Sequence, residues 1–265
     1  MEVGQKSRVA MVAAASKGVG AMALELAKRG AQVAICARGA DRLERTAAEI
    51  ERSSGRKPLP EVLDLPRAGT IGEFVRAVEA PLGRVDICVT NSGGPPSKVF
   101  REVLRDTTVE ARTAAVPLLM STVGLGREPL PRMQKNRGGR LITIASSAVK
   151  PPVEGLLLSN SARSAVTDLA KTLANEYAAY GITVNNVCPG YRRTERLDGP
   201  VPVISERSGG KPQEVFAEWE RPVPAARLGR AEEAASVLGF LASECASYVN
   251  SLSIAVGGGL VRSLG

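Results

Sequence analysis

A single α/β domain, a doubly wound parallel sheet flanked by helices, is the fold this 265-residue sequence predicts. Three observations carry that prediction. Short apolar runs alternate with longer amphipathic segments from end to end, with no internal repeat or low-complexity tract. Hydrophobic residues make up 44% of the chain and aromatic residues 3%, so the core is Ala, Val, Leu and Ile, which suits a parallel sheet under close-packed helices. The length suffices for one large core, and residues 1–265 are read as one domain.

The strand candidates are RVAMVAA (8–14), AQVAICA (31–37), PLPEVLD (58–64), VDICVTN (85–91), GRLITIAS (139–146), ITVNNVC (182–188) and LSIAVGG (252–258). Between them the pattern predicts helices at about 18–29, 40–53, 67–80, 107–135, 155–180 and 231–243. Strict alternation means right-handed crossovers, and such a sheet takes its ligands at the carboxyl ends of its strands, near the switch in strand order.

Composition excludes several classes of chemistry. The chain has no histidine, which rules out a His-based triad, a His-ligated metal and a histidine general base. Cys36, Cys88, Cys188 and Cys245 are far apart and show no zinc spacing, so no metal is expected; three lie in apolar, strand-like contexts and read as reduced packing residues. The formal charge is +8, but the arginines (Arg29, Arg42, Arg67, Arg84, Arg112, Arg140) are scattered, with no basic block, which argues against nucleic acid and leaves anionic small molecules. No leader-like or membrane-length apolar run occurs, so a soluble cytoplasmic protein without a membrane partner is expected.

The strand ends carry the chemistry. After the first strand, Ser16-Lys17-Gly18-Val19-Gly20 opens a helix, so that backbone amides and the helix N-terminus face a phosphate. After the second, Ala37 offers no carboxylate to a ribose hydroxyl, whereas Arg38, with Lys17 nearby, suits a 2′-phosphate; this points to NADP(H) rather than NAD. The third strand ends at Asp64-Leu65. The fourth ends in Asn91-Ser92-Gly93-Gly94, a turn that lets backbone approach a flat ring. Farther on, LSNSARSAV sets Ser159 and Arg163 four residues apart, on one helical face.

SKGVG (16–20), DICVTNSGG (86–94), ITIASS (142–147), GITVNNVCPG (181–190) and AVGGGLV (255–261) together resemble the short-chain dehydrogenase/reductases, in order and over about residues 7 to 263. The closing AVGGG is similar to members that act on ketoacyl groups. The resemblance implies a Rossmann-like domain, a nicotinamide dinucleotide, a homo-oligomer (dimer or tetramer) and a catalytic set of Asn, Ser, Tyr and Lys. Carried over position by position, the serine falls on Ser146, the tyrosine on Ser159, the lysine on Arg163 and the asparagine on Leu118, while the first Thr-Gly becomes Ala13-Ala14. It also places Pro189, Gly190 and Thr194 at the nicotinamide end, Thr194 against carboxamide or pyrophosphate.

A serine hydroxyl is far too weak an acid to replace a phenol, and arginine stays protonated. Losing a general acid costs about 10²–10⁴ in rate, whereas holding reactants in register supplies roughly 7–11 kcal/mol. Hydride transfer survives best on a substrate that stabilises its own anion: a quinone, a 1,3-diketone or an aromatic, polyketide-like carbonyl. Arg163 is then expected as a clamp on oxyanion or ribose, with Ser146 and Ser159 as hydrogen-bond donors. Tyr191 is the substitute proton donor, set against packing or substrate stacking, and Lys150 either faces the pocket or is a solvated loop lysine. Residues 191–227 read as a mobile substrate lid whose Arg192, Arg193 and Arg196 suit an acidic or carrier-linked substrate or simply a solvated surface. The reading is an NADPH-dependent carbonyl reductase without the tyrosine; the alternatives are a nucleotide-binding scaffold or sensor, and a non-redox cyclase or isomerase.

Overall fold

In a computed structural model of the chain, seven strands pair in the order β3-β2-β1-β4-β5-β6-β7, and every pairing is parallel. The structure describes residues 5–263 except 17, 68, 92, 94–109, 154–155, 195–197 and 199–200, and not the side chains of 110–115, 203, 207 and 208. The strands are β1 Val9–Val12, β2 Gln32–Ala37, β3 Leu59–Val62, β4 Ile87–Thr90, β5 Gly139–Ile144, β6 Ile182–Pro189 and β7 Ser253–Val256. The helices are α1 Gly20–Lys28, α2 Ala40–Ser54, α3 Thr70–Leu82, α4 Glu110–Arg127, α5 Leu130–Lys135, α6 Leu157–Tyr177, α7 Val201–Ser208, α8 Pro212–Glu220 and α9 Ala231–Leu241.

The alternation predicted seven strands in one parallel sheet, and the central runs are strands buried on both faces. β1, β4, β5 and β6 are buried at every residue, whereas β3 alternates between half-buried and exposed. β3 is the edge strand, and its Pro60, which has no amide hydrogen to donate, is tolerated there. The strand order reverses between β1 and β4, which opens a crevice at their carboxyl ends.

Alternate side chains of the strands feed two cores. Met22, Leu26, Leu43, Ile50, Ala234 and Leu238 cover one face from α1, α2 and α9. Phe74, Val75, Leu125, Met133, Ala170 and Ala174 cover the other from α3, α4, α5 and α6. The helices α6 and α9 thus stand on opposite faces.

Two expectations need correction. The helix expected over 107–135 is two helices, α4 and α5, and 107–109 lie outside the described residues. Pro129 divides them: it has no amide hydrogen, and it serves as the N-cap of α5. The segment 191–227, expected as a mobile substrate lid with no helix predicted in it, carries two helices, α7 and α8, as far as it is described. Pro212 stands at the start of α8, Glu214 accepts from the Lys211 amide at 3.0 Å, and Val215 is buried. Phe216 and Trp219 meet edge to face, with the Arg193 guanidinium 3.9 Å from the Phe216 ring centre.

Cys36, Cys88 and Cys188 are buried and Cys245 is exposed. Burial pushes the Cys36 thiol up to about 12 and the Cys188 thiol up to about 11 from an ordinary 9.0, and raises Cys88 as well. Below pH 9 native and unfolded thiols are both protonated. Above it the unfolded chain alone releases protons, so stability falls as the pH rises through 11 to 12, by about 1.4 kcal/mol per pH unit per thiol. Denaturant titrations between pH 8 and 11 should show that decline. At pH 8, a thiol reagent should label Cys245 alone in the native protein and all four cysteines once it is unfolded.

Candidate active site

The turn that follows β1 is held by its neighbours. The Ala13 amide donates to Val89 O at 3.0 Å and the Ala15 amide to Cys36 O at 2.9 Å, so the turn is pinned to β4 and β2. Ala14 adopts φ +51°, the left-handed region, at the position where the resemblance expects glycine. A side chain there costs roughly 1–2 kcal/mol. A Cβ on Gly20 would stand 2.9 Å from Ala15 O and 3.1 Å from Thr46 Cγ2, so glycine allows α1 its close approach to the strand and to α2. A Cβ on Gly18 would stand 3.1 Å from Thr194 Cγ2, which brings the segment after β6 against the segment after β1.

This turn suits an anion. Val19, the N-cap of α1, makes no side-chain cap, and the first turn holds no acidic residue. The amides of Gly20 and Ala21 have no hydrogen-bond acceptor among the described residues. The start of a helix presents first-turn amides and a positive end, and both favour an anion. Ser16 is half-buried beside them, and Lys17 lies outside the described residues.

Farther along the sheet edge, the Leu63 amide donates to Ala37 O at 3.0 Å and joins the ends of β2 and β3. Arg38 and Asp64 are both exposed there, with Nε and Oδ1 3.8 Å apart, while Leu65 is buried. An exposed pair at that distance is weak, so the guanidinium can turn to a stronger anion.

On the other side of the crevice stands α6. Its buried face presents Ser159 and Arg163, 6% and 8% exposed. The Arg163 guanidinium donates from Nη1 to Ile144 O and Ala145 O, and from Nη2 to Gly93 O, each at 2.9 Å. One cation thereby ties the end of β5 to the turn after β4, where Asn91 is half-buried and Gly93 has φ +86°. Ser146 follows in an extended conformation, and its Oγ accepts from the Ala148 amide at 3.2 Å. Three expected residues, Ser146, Ser159 and Arg163, are thus assembled on one side. Leu118 is buried in α4 and its carbonyl accepts from Thr122 Oγ1 at 3.0 Å.

Tyr191 is placed differently. With Arg192, Ala225, Arg227, Gly229, Arg230, Glu233 and residues 256–258 it lines a cleft of about 250 Å³ beside the start of α9. Its carbonyl accepts from the Gly229 amide at 3.0 Å. Among the described residues no hydrogen bond joins it to Ser146, Ser159 or Arg163. Pro189 and Gly190 lead into this segment, and the Gly190 amide donates to Val256 O at 2.9 Å. Lys150 is half-buried near the Cys188 thiol; Ser92, Gly94 and Arg196 lie outside the described residues.

Sequence reading missed Arg227, Arg230 and Glu233. For Glu233 a signal existed, an acidic residue three positions past a helix cap, and it accepts from the Arg230 amide at 2.7 Å. For the inward turn of Arg192 there was none.

The family described as Enoyl-(Acyl carrier protein) reductase matches this chain over residues 13–261. The chain belongs to the short-chain dehydrogenase/reductase family. It is 30% identical to cyclohexanol dehydrogenase of Rhodococcus sp. (strain TK6), over 97% of each chain. To the 3-oxoacyl-[acyl-carrier-protein] reductase FabG of Escherichia coli (strain K12) it is 31% identical, over 96% of this chain and 98% of that one. L-sorbose reductase from Gluconobacter frateurii, solved with NADPH and L-sorbose, superposes with a TM-score of 0.92 at 28% identity, covering 100% of both chains. Membership in the family makes this an NAD(P)-dependent oxidoreductase of CH–OH and C=O groups, and the carboxyl edge of its sheet is the family's Rossmann-like cofactor crevice. The turn after β1 is compatible with that cofactor: α1 starts without an acidic residue in its first turn, and Gly18 stands close to Thr194.

Two substitutions test this geometry. Ala14→Gly relieves the left-handed strain and, after glycine's entropy cost, should raise stability by about 0.5–1 kcal/mol, seen as a higher denaturant midpoint at unchanged slope. Arg163→Met leaves three carbonyls short of a donor and should lower stability by about 2–4 kcal/mol in the same titration.

Proposed function

We propose that this short-chain dehydrogenase/reductase is an NADPH-dependent reductase whose substrate stabilises the oxyanion made during reduction: a quinone, a 1,3-diketone or an aromatic, polyketide-like ketone. One observation carries the reading. The buried face of α6 offers the crevice a serine hydroxyl and a guanidinium already bonded to three carbonyls, and neither is an acid that can protonate an alkoxide at neutral pH. A substrate that delocalises the new charge needs no strong acid beside it.

When bound, NADPH supplies the hydride. The residues would hold it from three sides. The amides at the start of α1 and Thr194 take the pyrophosphate; Arg38 takes the 2′-phosphate, with Asp64 and Leu65 beside the adenine; Asn91, Gly93, Pro189 and Gly190 border the nicotinamide end. Ser146 and Ser159 donate hydrogen bonds to the carbonyl oxygen, which aligns the carbon for attack and draws off part of the charge. The cation of Arg163, fixed behind them, adds a positive field while holding the turn at Gly93 in place. NADPH-dependent relatives support the phosphate form: one solved neighbour, L-sorbose reductase, carries NADPH and its sugar substrate.

The second reading is a nucleotide-binding scaffold without turnover. What favours it is the same commitment of Arg163 to backbone carbonyls, which leaves less of the guanidinium for a substrate.

Titrations with NADPH and NADH, followed by a panel of quinones and diketones under single-turnover conditions, test the proposal. NADPH should bind about 10–100-fold more tightly, the worth of one charge-assisted contact, and Arg38→Ala should abolish the preference. Equal affinities contradict the assignment of Arg38. NADPH oxidation by some of the panel supports the reductase, and none across the panel leaves the scaffold.

A further inference from the structure

We infer that the cleft at the carboxyl ends of β6 and β7 is a binding site for an oxyanion, a carboxylate or a phosphate group, gripped by Arg192 with Arg230 at its rim. The inference stands apart from the reductase reading, because it concerns the cleft beside the start of α9, which abuts the crevice through Gly190 and Gly257, and because it is tested without turnover.

Arg192 carries the argument. Its Nη1 is buried and has no hydrogen-bond partner among the described residues. Burying a guanidinium without a partner is costly, and arginine does not escape the cost by releasing its proton at neutral pH. Burial lowers its pKa, and among the described residues no neighbouring charge opposes that shift. Other polar groups here are satisfied. Arg227 Nη1 and Nη2 donate to Glu233 Oε2 and Oε1 at 3.0 and 2.6 Å, and the Arg230 amide donates to Oε2 at 2.7 Å. Hydrogen bonding to Arg227 holds the Glu233 carboxyl down at about 2, so it stays ionised and paired there. Among the lining residues the one carboxylate is held chiefly by Arg227, with Arg230 also in its field, which leaves Arg192 without a matching charge among the described residues.

The shape agrees. The cleft measures about 250 Å³, below the roughly 300–1,000 Å³ of pockets that swallow a drug-sized ligand, so it suits a small anion or the anionic end of a larger molecule. The start of α9 forms one wall of the cleft, and its first turn is already capped by Glu233, so the grip on an anion falls to Arg192. The site is not the one for the adenosine phosphate: Arg38 follows β2, and β6 is four strand spacings away in the sheet, roughly 19 Å.

The test uses inorganic phosphate and the full chain without cofactor, in the Arg38→Ala background; the turn after β1 remains a second phosphate site there, and the Arg192 variants tell the two apart. At constant ionic strength, calorimetry should show saturable phosphate binding, and the melting temperature should rise with phosphate. Arg192→Met should be at least as stable as its parent without phosphate, because it removes a part-buried guanidinium whose Nη1 has no partner among the described residues, and should bind phosphate at least tenfold more weakly. Arg192→Lys, which keeps the charge but loses the fork, should fall between. Phosphate affinity unchanged in Arg192→Met, or no saturable binding to the parent, overturns the proposal. Acetoacetate then separates the sources: competition with phosphate assigns the anion to a carbonyl substrate, and a lack of competition assigns it to a free phosphate-type ligand. Neither measurement requires turnover, so failure of the reductase reading leaves this result intact.

Discussion

The crevice of this protein depends on a single cation. Arg163 reaches from α6 to the carbonyls of Ile144 and Ala145 and to that of Gly93, and so fixes the end of β5 against the turn after β4. Three charge-assisted hydrogen bonds satisfy a side chain that would otherwise be expensive to bury. They also settle where Ser146 begins, since it is the next residue after the tied carbonyls. An ammonium at this position would concentrate its charge at one point; a planar fork spans two strand ends at once.

The sheet separates two kinds of electrostatics. On the α6 side the positive charge is spent on backbone oxygens, and the side chains that remain toward the crevice are hydroxyls. On the α9 side Arg227 is neutralised by Glu233, but Arg192 is not neutralised by anything described. Thr194, two residues beyond Arg192, lies against Gly18. One short segment after β6 therefore touches the turn that suits a pyrophosphate and the cleft that suits a second anion.

Much of the fold was legible because burial on both faces leaves an apolar run in the central strands, and all seven strand candidates became strands of one parallel sheet. Helix limits were less legible where proline intervened: Pro117 sits inside α4, whereas Pro129 ends the helical path and starts another. The pattern of 191–227 hid two helices, because their stability comes from Val215 and the Phe216–Trp219 contact rather than from a long periodic stripe. In the site, the i, i+4 spacing of Ser159 and Arg163 sufficed to place both on one face. It carried no information on which acceptors the guanidinium would find.

By itself the sequence determined the parallel sheet, the glycine turn at the start of α1, the absence of histidine chemistry and the pairing of serine with arginine on α6. These follow from residue type and local period, which are properties of neighbours along the chain. Only the tertiary structure decided that Arg163 faces three carbonyls, that Tyr191 lines the cleft beside α9 rather than joining Ser146, and that Arg192 turns inward without a counter-ion. Those outcomes depend on which strand ends meet across the sheet, and hydrogen-bond partners 18 to 70 residues apart leave no mark on local pattern.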